Sequence, residues 1–245
     1  HVRFRFVLLM TVAGFSGVSG TSPAVSMEQK ATVTVQNPGA SDSRLSADNA
    51  FGAPSPLVFH TPAFDRIRLE HYQPAFMAGM KQQLAEMEAI ATQSDAPTFD
   101  NTIIAIEKSG ALLTRVRNVF SNMTSAEKSK DLQNIETELA PLQAAHSDNI
   151  LLNRRLFSRV EKLYVSRDSL GLNEEQFEVL KQHYESFVRA GAKLDEGQQA
   201  RIRLLNEQLS KLETKFEENL LALSEERSVF IDDVAELDGM SDADI

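Results

Sequence analysis

Hydrophobic residues recur every three or four positions along the chain after Pro62, which is the spacing of amphipathic α-helices. The first stretch of this kind runs from about residue 72 to residue 93. Five further helices are predicted to begin at residues of types that commonly cap helices. These residues are Thr98, Thr124, Asp148, Asn173 and Asp195. The pattern therefore predicts an all-α body with almost no β-strand.

The last of these helices carries the longest apolar stripe. Its members are Ile202, Leu205, Leu209, Leu212, Phe216, Leu220 and Leu223. The spacing is nearly that of a coiled coil, but the helix follows five other amphipathic helices, so packing within the chain is favoured over an oligomeric coiled coil. The β-branched and aromatic residues at 229–231 predict a short strand after it.

Three residues inside the predicted helices should influence packing. Gly110 falls on the apolar stripe of the second helix, where its missing side chain would let another helix approach closely. Pro74 is placed in the first turn of the first helix, where proline is tolerated. Pro141 is expected to kink the third helix.

The first 60 residues have a different composition. Arg3 and Arg5 precede a short apolar run at 6–18 and then small residues, which is typical of a secretory signal peptide. A membrane-anchoring helix is the alternative, although a span needs about 18 or more apolar residues. We predict a periplasmic or secreted protein without a stable membrane anchor. The predicted division is a signal peptide at 1–26, a flexible linker at 27–60 and a helical lobe at 61–245.

Charge and composition exclude several classes of protein. The chain has 25 Lys and Arg residues against 35 Asp and Glu residues, a net charge of -10, with no basic run, so nucleic acid is not expected as a partner. It contains no cysteine, which excludes disulfides, zinc fingers and thiol nucleophiles.

The histidines do not form a recognisable metal motif. No two of the five lie one helical turn apart, so the zinc-binding pattern H-E-x-x-H is absent. His71 is interpreted as a polar cap with Glu70 as its charge partner, and His146 as a cation near the end of its helix. His183 with Glu185 has the H-x-E spacing of a zinc deaminase, but the cysteine ligands of that site are missing.

Acidic pairs are the remaining candidates for acid–base chemistry. Glu217–Glu218 and Glu225–Glu226 are interpreted as solvated helix surface. Asp232–Asp233 follows the predicted strand but lacks the further oxygen ligands of a calcium site. We therefore predict no catalytic, cofactor-binding or metal-binding residue in this chain.

Particular residues, taken in order, nevertheless resemble one family. The matching stretches are Phe64-Asp-x-Ile-x-x-Glu-His-Tyr-x-Pro-Ala-Phe76, Pro97-Thr-Phe-Asp-Asn-Thr-Ile-x-Ala-x-Glu-x-Ser-Gly110, Leu151-Leu-Asn-x-x-Leu-Phe157, Arg189-x-Gly-Ala-x-Leu194 and Phe216-x-x-Asn-Leu-Leu221. Together they resemble the N-terminal part of the thimet oligopeptidase family of zinc peptidases. The signal peptide and the stretch Gly191-Ala-x-Leu-Asp-Glu196 are most similar to its bacterial peptidyl-dipeptidase branch.

The resemblance implies a helical, two-lobed enzyme of the neurolysin type, with a deep channel that admits short peptides. It implies zinc bound by an H-E-x-x-H helix and removal of dipeptides from peptide C-termini. This chain carries none of the zinc ligands, so it would be the N-terminal lobe, forming one channel wall, inactive without the missing catalytic lobe. The alternatives are an oligopeptidase A-like endopeptidase of the same family and a non-catalytic helical binding module.

Overall fold

The structure, a computed structural model, describes residues 45–46, 48–126 and 129–227. Its helices are α1 (Leu69–Thr92), α2 (Ala105–Lys108), α3 (Ala111–Ala126), α4 (Lys130–Leu151), α5 (Arg154–Val165), α6 (Glu174–Ala190) and α7 (Glu196–Glu226). Short 3-10 segments lie at Val58–His60, Phe64–Arg66 and Arg167–Ser169, and a π-helical turn at Phe99–Ile104 leads into α2. The described residues contain no β-strand, so the all-α prediction is confirmed for them.

Two sequence predictions concern segments outside these ranges. The signal peptide at 1–26 and the short strand at 229–231 lie outside the described residues. No helix in the described part of the chain is both long enough and apolar enough to cross a membrane.

The first of two hydrophobic cores is aromatic and lies where the N-terminal half of α1 packs on α3 and α4. Tyr72, Phe76 and Phe120 are buried there. The ring of Phe120 meets the other two edge-on, at centroid distances of 5.0 and 5.5 Å. Gly79 brings α1 and α3 close together, since a Cβ at that position would lie 2.9 Å from the backbone of Leu113.

The segment before α1 is part of the same core. Phe51 is 2% exposed, and its ring lies 5.5 Å from that of Tyr72. Its carbonyl accepts a hydrogen bond of 2.9 Å from Nη2 of Arg115 on α3. The described part of the range 27–60, which the sequence assigned to a flexible linker, therefore contains a packed residue, because this phenylalanine supplies apolar surface that α1 and α3 bury.

The second core is formed by the C-terminal half of α1, by α5, which packs on α1, and by α6, which packs on α5. Leu156, Val160 and Leu180 are fully buried in it. Phe157 lies between Tyr184 and Phe187, with ring centroids 5.9 and 5.8 Å apart. This core fixes α5 and α6 against the end of α1.

A buried arginine closes the second core at one end. Arg159 is 7% exposed, and its guanidinium donates to four neighbours. These are the carbonyls of Gln93 at 3.4 Å and Asp95 at 2.9 Å, Oδ1 of Asn101 at 2.9 Å and Oγ1 of Thr102 at 3.3 Å. Arg159 thus ties α5 to the connection between α1 and the π-helical turn.

A polar layer separates the two cores at the middle of α1. The N–H of Gly110 donates to Glu86 at 2.7 Å. Nε2 of Gln83 donates to Oγ of Ser109 at 3.3 Å, and Oε1 of Gln83 lies 2.7 Å from Nε2 of His146. Because both polar side chains of α1 find partners, the layer can be buried between the cores.

The single helix predicted from Thr98 to Phe120 is wrong, because the chain breaks at Gly110. This glycine has a φ of +70°, a left-handed conformation that ends α2 before α3 begins. Its role is therefore to make a turn and to leave room for Gln83, whose Nε2 would lie 2.5 Å from a Cβ there.

Two predicted caps lie inside helices instead. Thr124 belongs to α3, and Ser129 caps α4 by accepting from the N–H of Leu132 at 3.3 Å. Asp148 belongs to α4, and Asn153 caps α5. Asp148 is buried and accepts a 2.6 Å hydrogen bond from Asn206 of α7, so a tertiary contact replaces the predicted capping role.

Three other predicted caps are confirmed, of which Thr98 accepts the N–H of Asn101 at 3.0 Å at the start of the π-helical turn. Asn173 and Gln176 form a reciprocal capping box at the start of α6. Asp195 and Gln198 exchange equivalent hydrogen bonds of 3.2 and 2.8 Å at the start of α7. Gly191 ends α6 with a φ of +101°, as its position after the last apolar residue predicted.

The predictions for the two helical prolines have different outcomes. Pro74 lies in the second turn of α1 because the helix begins at Leu69, earlier than the sequence predicted. α4 continues through Pro141 from Lys130 to Leu151, and the expected kink there stays a prediction.

The longest helix turns its polar side towards α4. Asn206 donates to Asp148, and Arg203 donates to Asn149 at 3.1 Å. Near the other end of α7, Glu218 accepts a 2.8 Å hydrogen bond from Thr137. Most of the predicted apolar stripe of α7 is exposed, so the expected packing of that stripe within the chain is not found among the described residues.

Candidate functional site

His71 serves as a cap, as predicted, but with a different partner. Its Nδ1 accepts the backbone N–H of Arg68 at 3.2 Å at the start of α1. Glu70 lies 3.9 Å from the guanidinium of Arg68 and forms its ion pair there, on the exposed surface. These bonds complete the first turn of α1 and give His71 a structural role.

His146 is a buried core residue, which corrects its interpretation as a cation at a helix end. It lies within α4, before the last turn, and is 6% exposed. Burial lowers the pKa of His146, and the positive charge of Arg117 lowers it further. Its Nδ1 has no hydrogen-bond partner among the described residues, so the neutral ring joined to Gln83 is the favoured form.

His183 and Glu185, which matched the H-x-E spacing, point to different partners. Nε2 of His183 lies 2.7 Å from Oε1 of Glu107, and Glu185 accepts from Arg189 at 2.8 Å. The hydrogen bond from His183 lowers the pKa of Glu107, against the opposing effect of burial. The contact between His183 and Glu107 links α6 to α2 and is structural.

An acidic cleft of about 360 Å³ lies between α4 and α7. It is lined by Glu136, Glu217 and Glu218, together with Thr137 and Thr214. Burial raises the pKa of Glu136, and the charges of the two α7 glutamates raise it further. Glu217 and Glu218 are exposed, as predicted, yet their charges also raise the pKa of Glu136.

The Glu136→Gln variant is expected to raise the free energy of unfolding at pH 7 by ~0.5 kcal/mol, because it removes a carboxylate that is disfavoured by burial and by its acidic neighbours in a solvent-screened cleft. The folded pKa lies above the unfolded one, so wild-type stability increases as the pH falls through the folded pKa towards the unfolded value of about 4.3. The difference between variant and wild type should therefore shrink between pH 7 and about pH 4.5.

Urea unfolding at several pH values measures this difference. Glu138→Gln, on the exposed side of the same helix, is the control and should leave the stability nearly unchanged. A Glu136→Gln difference that stays constant with pH would contradict the assignment.

The remaining acidic candidates add no further cluster. Glu226 is exposed at the end of α7. The side chain of Glu225 and the pair Asp232–Asp233 lie outside the described residues. In the part of the chain that the structure describes, no group of three or more His, Asp or Glu side chains is placed to hold a metal ion. The described residues thus do not fit a zinc site, and no chemical step is assigned to them.

A larger groove, of about 1320 Å³, lies beside α1 and α3 under the segment that precedes α1. Its charged lining consists of Arg66, Arg68, Lys81, Arg115, Asp48 and Asp65. Phe59 stands on the same segment with 96% of its surface exposed. The groove is concave, and its lining carries more positive than negative charge.

A row of exposed apolar side chains lies on α7. We define the α7 apolar face as Leu205, Leu209, Leu212 and Phe216, which are 50%, 52%, 64% and 67% exposed. Soluble proteins rarely leave such a continuous row of large apolar side chains in water unless it contacts another surface. The described part of the chain therefore presents contact surfaces.

Comparison with known proteins identifies relatives of this chain. The dipeptidyl carboxypeptidase of Escherichia coli is 40% identical over 197 residues, which are 80% of this chain and 29% of the relative. That of Salmonella typhimurium is 41% identical over 76% of this chain and 28% of the relative. The organellar oligopeptidase A of Arabidopsis thaliana is 23% identical over 76% of this chain and 24% of the relative. No family model matches the chain.

These matches confirm the resemblance and place the chain in the thimet oligopeptidase family of peptidases. Within that family it is more similar to the dipeptidyl carboxypeptidases than to the oligopeptidases A, at about 40% against about 23% identity. The chain spans less than a third of the length of the curated relatives that it matches.

Proposed function

We propose that this chain is the N-terminal lobe of a secreted zinc peptidase that removes dipeptides from the C-terminus of short peptides. The observation that carries the proposal is the 40% identity to a dipeptidyl carboxypeptidase over 80% of the chain. The lower identity to oligopeptidase A, 23% over 77% of the chain, makes endopeptidase activity the second candidate.

In this proposal the lobe contributes a wall of the substrate channel and the rest of a longer polypeptide contributes the zinc and the chemistry. The lobe has two folded cores that hold α1 to α6 in place, and it exposes grooves and apolar surface. That combination suits a part that limits access by size while another part carries out hydrolysis.

The test is to purify the protein from its source and measure its mass, its zinc content and its cleavage pattern. A chain well above 27.2 kDa with about one zinc, releasing dipeptides from N-blocked peptides, is the expected result. Peptides with an amidated C-terminus distinguish the candidates, because a dipeptidyl carboxypeptidase needs the free carboxylate and an endopeptidase does not.

The 245-residue chain alone is the control and should release no dipeptide. A native protein of about 27.2 kDa without zinc would contradict the proposal and favour a non-catalytic binding module. N-terminal sequencing of the mature protein and fractionation of the cells would test the signal peptide at 1–26 and the periplasmic location.

A further inference from the structure

The polar side of α7 is packed and its apolar side is exposed, which is the reverse of the arrangement expected for a helix in a stable monomer. The side that meets α4 is polar, with Asn206 bonded to Asp148 at 2.6 Å, and Ser210 and Thr214 partly buried along it. The α7 apolar face is exposed instead. An amphipathic helix normally buries its apolar stripe and leaves its polar side in water.

The arrangement follows from the sequence of α4. At its C-terminal end α4 offers Asp148 and Asn149, which accept hydrogen bonds from Asn206 and Arg203 of α7. Near its N-terminal end Thr137 donates to Glu218. These specific polar contacts fix the rotation of α7 about its axis, so the apolar face is held pointing away from α4.

The face is a continuous row of exposed side chains. Its four side chains are each at least 50% exposed, and the adjacent Leu204 is 61% exposed. Spacings of four, three and four residues keep Leu205, Leu209, Leu212 and Phe216 in one row over more than two turns. Such a row is the pattern with which one helix packs along another.

We propose that the α7 apolar face is the surface on which this lobe docks the remainder of a longer polypeptide, through an apolar helix or sheet face of that remainder. The inference rests on the proposed function. It is supported by the length comparison, because the matched segment is 29% of the Escherichia coli relative and most of such a chain must pack somewhere. A second copy of this chain is the less favoured occupant, because two chains of net charge -10 repel each other.

The experiment uses the absence of cysteine from the sequence, which makes an introduced thiol the only one in the 245-residue chain. Leu212→Cys and Phe216→Cys place a thiol on the face at exposed positions, so the fold is not disturbed. Glu175→Cys, in the exposed first turn of α6, is the matched control. Each variant is made both in the 245-residue chain and in the protein as its source produces it.

The readout is the rate of thiol alkylation, followed by mass spectrometry of the modified peptide. We expect the two face thiols to react at least ~100-fold more slowly in the longer protein than in the 245-residue chain, with the control thiol changing less than ~3-fold. Equal rates for the face thiols in both proteins would overturn the docking inference while dipeptide release by the longer protein still supported the proposed function.

Two other outcomes also overturn the inference. Slow labelling in the 245-residue chain together with a dimeric mass would assign the face to a second copy. If the protein purified from its source had a mass of about 27.2 kDa, there would be no remainder to occupy the face, and the proposed function would be contradicted as well.

Discussion

The Arg159→Met variant is expected to lower the free energy of unfolding by ~3 kcal/mol, because methionine has a similar length but cannot make the hydrogen bonds of the buried guanidinium. The lost acceptors are the carbonyls of Gln93 and Asp95, Oδ1 of Asn101 and Oγ1 of the fully buried Thr102. Urea unfolding followed by circular dichroism measures the loss.

The control for this prediction lies one turn away on the same helix. Arg155 has a side chain that is 72% exposed and an ion pair of 3.4 Å with Glu88. Arg155→Met should therefore change the stability by less than ~0.5 kcal/mol. Equal losses for the two variants would show that charge in general, and not the buried hydrogen bonds of Arg159, stabilises α5.

The Phe51→Ala variant is expected to lower the free energy of unfolding by ~3 kcal/mol, because it removes a ring buried against Tyr72 and leaves a cavity in the aromatic core. Phe59→Ala, eight residues later, should change it by less than ~0.5 kcal/mol because that ring is 96% exposed. Thermal or urea unfolding of both variants measures the contrast.

This pair also tests where the folded lobe begins. A flexible linker through residue 60 would make the two substitutions equally harmless. A large loss at Phe51 alone would place the start of the lobe before that residue.

The helices whose ends are set by neighbouring residues could be predicted from the sequence. Asn173 and Gln176 at the start of α6, and Asp195 and Gln198 at the start of α7, form capping boxes from residues three apart. Gly191 ends α6 through a backbone conformation of its own. Such signals are complete within one turn of chain, so no tertiary information was needed.

The errors fell where a distant residue decided the outcome. At the break, Glu86 of α1 accepts the N–H of Gly110, and Asp148, predicted to cap a helix, accepts a hydrogen bond from Asn206 of α7 instead. Phe51 was assigned to a linker because its small polar neighbours dominate the local composition, although α1 and α3 bury it. Local patterns do not contain these partners.

The family could be recognised because its matching residues are spread in order along the whole lobe. The roles of individual polar residues could not be predicted. Glu136 lies four residues after the buried Leu132 and three before the buried Leu139. That position was a signal of partial burial, but the repulsion from Glu217 and Glu218 depends on how α7 lies against α4.

Helix α1 supplies residues to both hydrophobic cores, whereas α7 supplies none to either. A proteolytic cut inside α1 would therefore dismantle both cores at once. A cut between Ala192 and the start of α7 would leave every buried member of both cores on one piece. Substitutions at the exposed positions of α7 consequently leave both interiors unaltered, so their effects would be felt at the surface of the helix and not in the folding of the cores.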